Sequence, residues 1–176
     1  MIIFVDIETS GLSFEADEIW EIFAVKVCKD FYPCEELHIL IKPDYGIDAY
    51  SNHIKGMHLA NGLFADACNK GIDRDEAEQL LFDFFQSDKL DDKVILGGSS
   101  VHFDRRFLES QFPCLSEKLH YRMLDVRALN LIYPEIELTL PYPKDEHRAK
   151  PDCINACYTA RWYNRLLRRC ATQGNT

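Results

Sequence analysis

The chain has 176 residues, of which 47% are hydrophobic and 28% are charged, a balance that is typical of a soluble globular protein. Its 20 basic and 29 acidic residues give a formal net charge of −9. This charge argues against a protein that holds long duplex DNA on a broad basic surface. It remains compatible with a ligand of a few nucleotides gripped through divalent cations, because bound cations reverse the local field.

Nothing in the sequence predicts a membrane span or a secreted protein. No apolar run approaches the ~20 residues that a transmembrane helix needs. The first six residues have no basic stretch and reach Asp6 too early for a signal peptide. We therefore expect a cytoplasmic protein, organised as one domain over residues 1–176.

The seven cysteines are an odd number and include no CxxC pair. Cys153 and Cys157 stand four apart on a predicted helix and could share a face. Without a second pair of soft ligands, a zinc site is not expected. Reduced, mostly buried thiols are the better interpretation for a cytosolic chain.

The first part of the chain predicts an antiparallel meander. Three β-rich apolar runs follow one another closely, separated by the Ser10-Gly11 break and by a connection at 29–33. The predicted strands are Met1–Ile7, Trp20–Val27 and Glu36–Ile41. The stretch from Pro43 to Asn52, rich in Gly, Asp, Ser and Asn, predicts a loop.

Helical periodicity begins at Asp73, after which apolar residues recur three and four positions apart. These residues are Ala77, Leu80, Leu81, Phe84 and Phe85. The next predicted elements are a strand at Lys93–Gly98 and a helix from about Asp104, with Phe107 and Leu108 facing inward. A strand at Tyr121–Val126 then continues into a helix through Tyr133. The last two are a loop at Pro134–Glu146 and a helix at Ala149–Arg169. Strands first, and then alternating helices and strands, predict an α/β fold with a mixed sheet and helices on both faces.

Asp6 and Glu8 stand two positions apart at the end of the first predicted strand. Residues i and i+2 of a strand face the same way, so both carboxylates would leave one side of an otherwise apolar segment. Two like charges there are costly unless a cation lies between them, and carboxylate oxygens are the ligands that hard cations prefer. The pair therefore indicates a divalent-cation site, although the two acids could also be solvated where the strand ends.

Three further polar residues stand where predicted elements begin. Asp104 opens the helix after the fourth predicted strand, and Asp152 lies in the first turn of the last helix, five residues after His147. Taken singly, each fits a helix cap or a surface residue. Taken with Asp6 and Glu8, they lie near one edge of the predicted sheet.

These residues fall into an ordered set of motifs that resembles the DEDDh exonucleases. That superfamily carries D-x-E, a central Asp and H-x4-D, in this order, on a ribonuclease H-like fold. The corresponding segments are Asp6-Ile7-Glu8-Thr9-Ser10-Gly11-Leu12, Asp104-Arg105-Arg106-Phe107-Leu108 and His147-Arg148-Ala149-Lys150-Pro151-Asp152. Within the superfamily the chain is similar to oligoribonuclease, in the segments Gly98-Ser99-Ser100, His120-Tyr121-Arg122-Met123-Leu124-Asp125-Val126 and His58-Leu59-Ala60-Asn61-Gly62-Leu63.

The resemblance implies a 3′→5′ exonuclease that uses two divalent cations, Mg²⁺ or Mn²⁺. The implied cation ligands are Asp6, Glu8, Asp104 and Asp152. One ion would help to generate a hydroxide and the other would stabilise the leaving 3′ oxygen. His147 would be the general base that takes the proton from the attacking water, since an imidazole can accept a proton at neutral pH.

The resemblance also extends to residues at the substrate end. Leu12 and His58 resemble the pair that flanks the terminal bases, with a turn-capping leucine and a surface histidine as the alternatives. Ser100, Tyr121 and Arg122 match positions that hold the 5′ phosphate of a very short substrate, and the family forms this contact across a homodimer. Without the family, an exposed arginine beside a packed tyrosine is an equally good interpretation.

The chain departs from the oligoribonuclease pattern at several positions near that end. Arg127 and Ala128 stand where the family commonly has serine and threonine, His53 stands where it often has tryptophan, and Pro151 replaces an acid beside Asp152. Arg127 could add a cation to the phosphate contact, or fill the pocket and favour longer chains.

Three functions therefore stay open: an exoribonuclease on short RNA, an exonuclease on single-stranded DNA of the proofreading or repair type, and a non-catalytic nucleic-acid-binding module. The intact five-residue set disfavours the last. The final helix also carries Arg161, Arg165 and Arg168 on one face. This arginine strip could meet a nucleic-acid backbone, but a solvated helix face is the commoner explanation.

Overall fold

The structure is a computed structural model that describes residues 1–86, 93–143 and 147–173. The strands are β1 (Ile2–Thr9), β2 (Ile19–Val27), β3 (Pro33–Leu40), β4 (Val94–Gly98) and β5 (Leu119–Asp125). The helices are α1 (Asn52–Ala60), α2 (Leu63–Lys70), α3 (Arg74–Phe84), α4 (His102–Gln111), α5 (Pro113–Ser116), α6 (Val126–Ile132) and α7 (Ala149–Gln173). Short 3-10 turns occur at Lys29–Phe31 and Ile47–Ala49.

The five strands form one mixed sheet in the order β3-β2-β1-β4-β5. The first three strands pair antiparallel, which confirms the predicted meander. Strand β4 then pairs parallel with β1, and β5 pairs parallel with β4. The crossover helices of these parallel strands explain why the second half of the chain alternates between helix and strand.

Alternation along β1 divides the core into two layers. Ile3, Val5 and Ile7 point to one face, where they pack with buried residues of α3, α4 and α5. Phe4 points to the opposite face, where it packs with buried residues of α7. Helices therefore cover both faces of the sheet, and the predicted α/β fold with a mixed sheet is confirmed.

Helices α1 and α2 were not predicted. The α1 sequence has weak helical periodicity and includes glycine and asparagine, and α2 is only eight residues long. Tertiary contacts stabilise α1 instead. The Ser51 side chain accepts a hydrogen bond from the Ile54 N–H, and Ile54 and His58, four residues apart, are both buried. His58 packs against Trp20, whose ring centroid lies 5.3 Å away.

Several predicted boundaries and environments change in the structure. Strand β3 begins at Pro33 rather than Glu36, and α7 continues one turn beyond Arg169. Leu80 is 41% exposed, so it does not belong to the buried face of α3. The predicted loop at 134–146 is irregular through residue 143, and its last three residues lie outside the described part of the chain.

All seven cysteines are free, but only Cys153 and Cys157 are buried. The prediction of mostly buried thiols was therefore wrong, because the other five lie at exposed positions of β3, of helices and of the connection after β2. Among the described residues, the helices are too short or too polar to cross a bilayer.

Candidate active site

Three acidic residues of the candidate set come together where β1 ends and α7 begins. Asp6 and Glu8 lie on the face of β1 that carries Phe4, and Asp152 lies in the first turn of α7. One carboxylate oxygen from each of the three lies within 4.8 Å of those of the other two. Hard divalent cations bind oxygens at about 2.0–2.6 Å, so oxygens sharing one ion lie up to about 5 Å apart. The spacing therefore fits a shared cation.

Asp104 is fixed beside this group but is not one of the three. Strand β4 last pairs with β1 at Phe4, so β1 continues without a neighbour on that side. The Ile7 N–H on this open edge donates to Asp104 Oδ1 at 3.0 Å, and Asp104 is buried. The side chain of Asp104 thus reaches the edge of the sheet at which the sequence grouped it with Asp6 and Glu8.

The electrostatics of the group favour a cation. Burial first, and then the charges of Asp104, Glu8 and Asp152, raise the pKa of Asp6 well above its usual range. Burial and the Glu21 charge raise the pKa of Glu8 to about 8, and burial raises the pKa of Asp104 to about 7. Acids that hold protons this tightly gain most from a divalent ion, which replaces the protons and removes the repulsion.

His147 lies two residues before the start of α7, with an exposed side chain and a backbone φ of 49°. Its carbonyl oxygen accepts a hydrogen bond from Asn61 Nδ2 at 2.6 Å. Asn61 follows α1, and its Oδ1 accepts from the Leu63 N–H at 3.0 Å. The turn between α1 and α2, which the sequence did not predict as part of two helices, therefore holds the backbone of the candidate base.

Sequence reasoning missed a further acid, Glu21, which β2 places directly opposite Glu8. Although burial acts in the other direction, hydrogen bonds from His38 and Arg148 lower the pKa of Glu21 to about 2. The available signal was a glutamate at a position facing the core in a strand that is otherwise almost wholly apolar. Such a buried charge requires a partner, and the partner is Arg148, inside the H-x4-D motif.

An open cleft of about 760 Å³ begins at the carboxylates. Asp6 and Asp152 line one part of it, and residues of α6, α7 and the 134–140 segment line the remainder. Asn155 of α7 anchors this segment, accepting from the Tyr142 N–H and donating to the Tyr142 carbonyl oxygen. Among the described lining residues, Arg127 is the one cation. A cleft of this size is large enough for a small-molecule ligand.

The predicted base-flanking residues have different environments. Leu12 is 83% exposed in the turn after β1. His58 is fully buried, so the surface-histidine alternative was wrong. Its Nε2 lies 3.2 Å from the Thr9 carbonyl oxygen, and its Nδ1 is a buried nitrogen without a hydrogen-bond partner among the described residues.

The predicted phosphate-binding residues lie at the edge of the sheet. Ser100 has a φ of 58°, and its N–H donates to Asp125 Oδ1 at 2.9 Å, which fixes the turn after β4. Tyr121 and Arg122 lie on the edge strand β5, and both are exposed. The Arg122 guanidinium lies 5.3 Å from the Tyr121 ring centroid. The exposure of Tyr121, at 72%, contradicts the alternative of a packed tyrosine.

The arginine strip has local partners. Arg161 and Arg165 both donate to the Tyr32 hydroxyl, at 2.7 and 2.6 Å, and Arg168 lies 2.8 Å from Asp30. These contacts attach the turn between β2 and β3 to α7. Nine residues separate Arg161 from Asp152, which places the two on opposite sides of the helix, because each residue advances about 100°. The strip is therefore neither freely solvated nor directed at the cleft.

Comparison with known proteins identifies the family. A family model described as an exonuclease, of the RNase T type, matches residues 3–160. An oligoribonuclease from Coxiella burnetii is 31% identical over 172 residues, covering 94% of this chain and 93% of the relative. A probable oligoribonuclease from Dictyostelium discoideum is 33% identical, covering 85% and 81% respectively. An oligoribonuclease from Tropheryma whipplei is 29% identical, covering 92% and 90%.

The fold also matches solved structures. A structure of exonuclease I has a TM-score of 0.69 at 19% identity and covers 91% of this chain. The crystal structure of Escherichia coli exonuclease I with a dT13 oligonucleotide has a TM-score of 0.66 at 16% identity and covers 92%. This chain spans 40% of the length of both structures, which at this identity show the fold alone. From the matched family model and the relatives above 30% identity, the chain belongs to the exonuclease family, whose members hydrolyse phosphodiester bonds.

Proposed function

We propose that the chain is a 3′→5′ exoribonuclease that hydrolyses short single-stranded RNA to 5′-mononucleotides. The observation that carries this proposal is the group of three carboxylates, two of which line a cleft, in a chain whose relatives include oligoribonucleases. A cleft with carboxylates at one end suits a substrate that enters by its terminus. The chain's net charge of −9 also favours short substrates over long duplexes.

Asp6, Glu8 and Asp152 would hold divalent cations, Mg²⁺ or Mn²⁺, and Asp104 would complete the set for a second ion. The close spacing of the first three and the raised pKa values of Asp6 and Glu8 support this assignment. When bound, the cations would supply Lewis-acid stabilisation of the negative charge that develops on phosphate and leaving oxygens. The role of Asp104 rests on its position beside Asp6 and its bond to the β1 backbone.

His147 would accept the proton of the attacking water. Its imidazole is exposed, and it lies five residues before Asp152 in the chain, so it could meet a water molecule at the end of a bound strand. The hydrogen bond from Asn61 fixes the backbone rather than the ring, so the ring can still rotate toward the substrate. Proton acceptance near neutral pH suits an imidazole.

The 5′ end of the substrate would be held by Arg122 and Tyr121 of a second subunit, together with Ser100. Arginine binds phosphate oxygens through two parallel hydrogen bonds. Large apolar side chains on β5 and α6 are exposed, which supports a homodimer formed through this surface. They are Tyr121, Met123, Leu131, Ile132 and Tyr133.

A second candidate keeps the chemistry and changes the substrate to single-stranded DNA. Arg127 in the cleft favours it, because a long cation can contact a phosphate regardless of the sugar. The exonuclease I crystallised with dT13 shares the fold, and its oligonucleotide is DNA. We rank RNA first, because the relatives named oligoribonuclease match almost the whole chain.

The decisive experiment compares three 5′-labelled substrates with Mg²⁺ or Mn²⁺: an RNA dinucleotide, a longer RNA and a single-stranded DNA of the same length. We expect fastest cleavage of the dinucleotide, with mononucleotides as the product. Asp6→Asn is the matched control, since it removes one charge and little volume. Faster cleavage of DNA would favour the second candidate, and binding without cleavage in every metal would reject both.

Two sequence-based expectations remain proposals. A single exonuclease domain over residues 1–176 agrees with a family match that begins at residue 3 and ends at residue 160. A cytoplasmic location is likewise a prediction.

A further inference from the structure

Glu21 is a buried carboxylate beside the candidate site that has no assigned role. It lies directly opposite Glu8 in the antiparallel register of β1 and β2, and it is 1% exposed. Like charges directly opposite each other destabilise a sheet. A buried glutamate in this position therefore needs an explanation beyond its own contacts.

The described contacts of Glu21 lead to the start of α7. The Arg148 guanidinium forms a two-pronged contact, with Nη2 2.9 Å from Oε1 and Nε 3.0 Å from Oε2. The Ala149 N–H donates to Oε2 at 3.0 Å, and His38 Nε2 lies 2.7 Å from Oε1. Arg148 also reaches Asp66 of α2, at 3.2 Å. The carboxylate thus bonds to two consecutive residues that lie between His147 and Asp152.

These bonds solve a problem that the location of Asp152 creates. Asp6 and Glu8 are fixed by a central strand, and Asp104 is fixed by the Ile7 N–H. The Asp152 N–H instead lies 3.5 Å from the Arg148 carbonyl oxygen, in the first turn of α7. The N–H groups that precede it have no partner within the helix, and helix ends fray. Glu21 accepts one of those N–H groups and places a negative charge at the positive end of the helix.

We propose that Glu21 and Arg148 form a positioning pair, which holds Asp152 and His147 in register with Asp6 and Glu8 without Glu21 binding the cation. The proposal rests on the proposed function of the same site. Its consequence is that Glu21 acts on cation affinity and turnover through Arg148 and the α7 backbone. Arg148 neutralises a carboxylate that would otherwise repel Glu8 and compete for the ion.

The first test is Glu21→Gln, which keeps the shape of the side chain and removes its charge. Calorimetric titration with Mn²⁺, without RNA, should show an affinity about 10- to 100-fold weaker than in the wild type, the range seen when partners of metal ligands are changed. With RNA, kcat should fall while KM stays within about twofold, since Glu21 does not touch substrate. Simple relief of repulsion at Glu8 predicts the opposite, an unchanged or tighter affinity, and that result would overturn the proposal.

Glu36→Gln is the matched control. It removes the ion pair between Lys150 and Glu36, which joins the same turn of α7 to the sheet at 3.0 Å but is exposed on both sides. Exposed pairs contribute little, so Mn²⁺ affinity and kcat should change less than twofold. An equal loss in Glu36→Gln and Glu21→Gln would assign the effect to general loosening of the helix and reject the pair.

A double variant tests the pairing itself. Arg148→Met alone leaves a buried carboxylate without its cation, so its Mn²⁺ affinity should fall further than that of Glu21→Gln. Adding Glu21→Gln to Arg148→Met should then recover at least about threefold, because the uncompensated charge is gone. Additive losses in the double variant would show that the two residues act independently. If Arg148→Met does not fold, the comparison of Glu21→Gln with Glu36→Gln decides alone.

The Mn²⁺ titration separates this proposal from the proposed function. A wild type that binds Mn²⁺ but cleaves no RNA or DNA would reject the exonuclease assignment and leave the affinity comparison valid. A wild type that cleaves RNA, with Glu21→Gln unchanged in affinity and kcat, would reject only the positioning pair.

Discussion

Replacing Glu8 with glutamine should stabilise the cation-free protein at alkaline pH, although it removes a proposed ligand. An unfolded glutamate ionises near its ordinary pKa of 4.5, whereas burial and the neighbouring Glu21 charge raise the pKa of Glu8 to about 8 in the folded chain. Between these values the folded state binds the additional proton. Raising the pH through this window therefore favours the unfolded state. The free energy of unfolding stops falling above about pH 8, where Glu8 is ionised in both states.

The magnitude follows from the same interval. Each pKa unit corresponds to ~1.36 kcal/mol, so the change from 4.5 to about 8 sets an upper bound of about 5 kcal/mol on the stability that Glu8 costs when ionised. Glutamine removes the charge with almost no change in volume. For a domain of this size, a gain of only about 2 kcal/mol would raise the Tm by roughly 4–8 °C.

The assay is thermal unfolding in EDTA at pH 5 and pH 8, for the wild type, Glu8→Gln and the exposed control Glu36→Gln. We expect the wild type and the control to lose Tm between pH 5 and pH 8, and Glu8→Gln to lose less, because the raised pKa of Glu8 is gone while those of Asp6 and Asp104 remain. Saturating Mn²⁺ should restore the Tm of the wild type at pH 8 and have a smaller effect on Glu8→Gln. Parallel losses in all three proteins, or a lower Tm for Glu8→Gln at pH 8, would refute the reasoning.

Three other predictions concern activity. Asp6→Asn and Asp152→Asn should each abolish cleavage while the far-ultraviolet circular dichroism is unchanged, and near-normal turnover at saturating Mg²⁺ in either variant would contradict the ligand assignment. His147→Ala should lower kcat by roughly 10²–10⁴-fold, as loss of a general base usually does, with Mn²⁺ affinity in calorimetry within about twofold of the wild type. Arg122→Ala should erase a preference of roughly ten- to a hundred-fold for 5′-phosphorylated over unphosphorylated RNA dinucleotides in binding assays, and equal affinity of the wild type for both would reject the phosphate contact.

The order of the elements was predictable because local patterns determine it. The apolar run of β1 reflects burial on both faces of the sheet, and the helical spacing after Asp73 reflects burial on one face of a helix. The structure has a strand and a helix there. The order of the motifs also predicted an exonuclease, and the matched family model confirms it. Where propensity was weak, as in α1, burial of Ile54 and His58 against Trp20 formed the helix, and no local pattern reports such a contact.

The sequence predicted which residues belong to the candidate site better than it predicted how they are arranged in space. Spacing put Asp6 and Glu8 on one face, and the structure places Asp152 against them. The attachment of Asp104 to the Ile7 N–H could not be predicted, because it depends on where β4 stops pairing with β1. Glu21 was missed because its partner Arg148 lies 127 positions away in sequence.

The acids at the end of β1 are needed for the proposed chemistry, but they lower the stability of the folded chain. The proposed cation would relieve the repulsion among the buried carboxylates, but without an ion the same burial raises the pKa values of Asp6 and Glu8, so that they retain protons. The strand that carries them must therefore be stable for other reasons, and the pairing of β1 with β2 from Ile2 to Thr9 supplies that stability. Asp152 belongs instead to the first turn of α7, and helix ends fray more readily than strands inside a sheet. For that reason we expect the start of α7, rather than β1, to be the part of the site that responds most to binding of the cation.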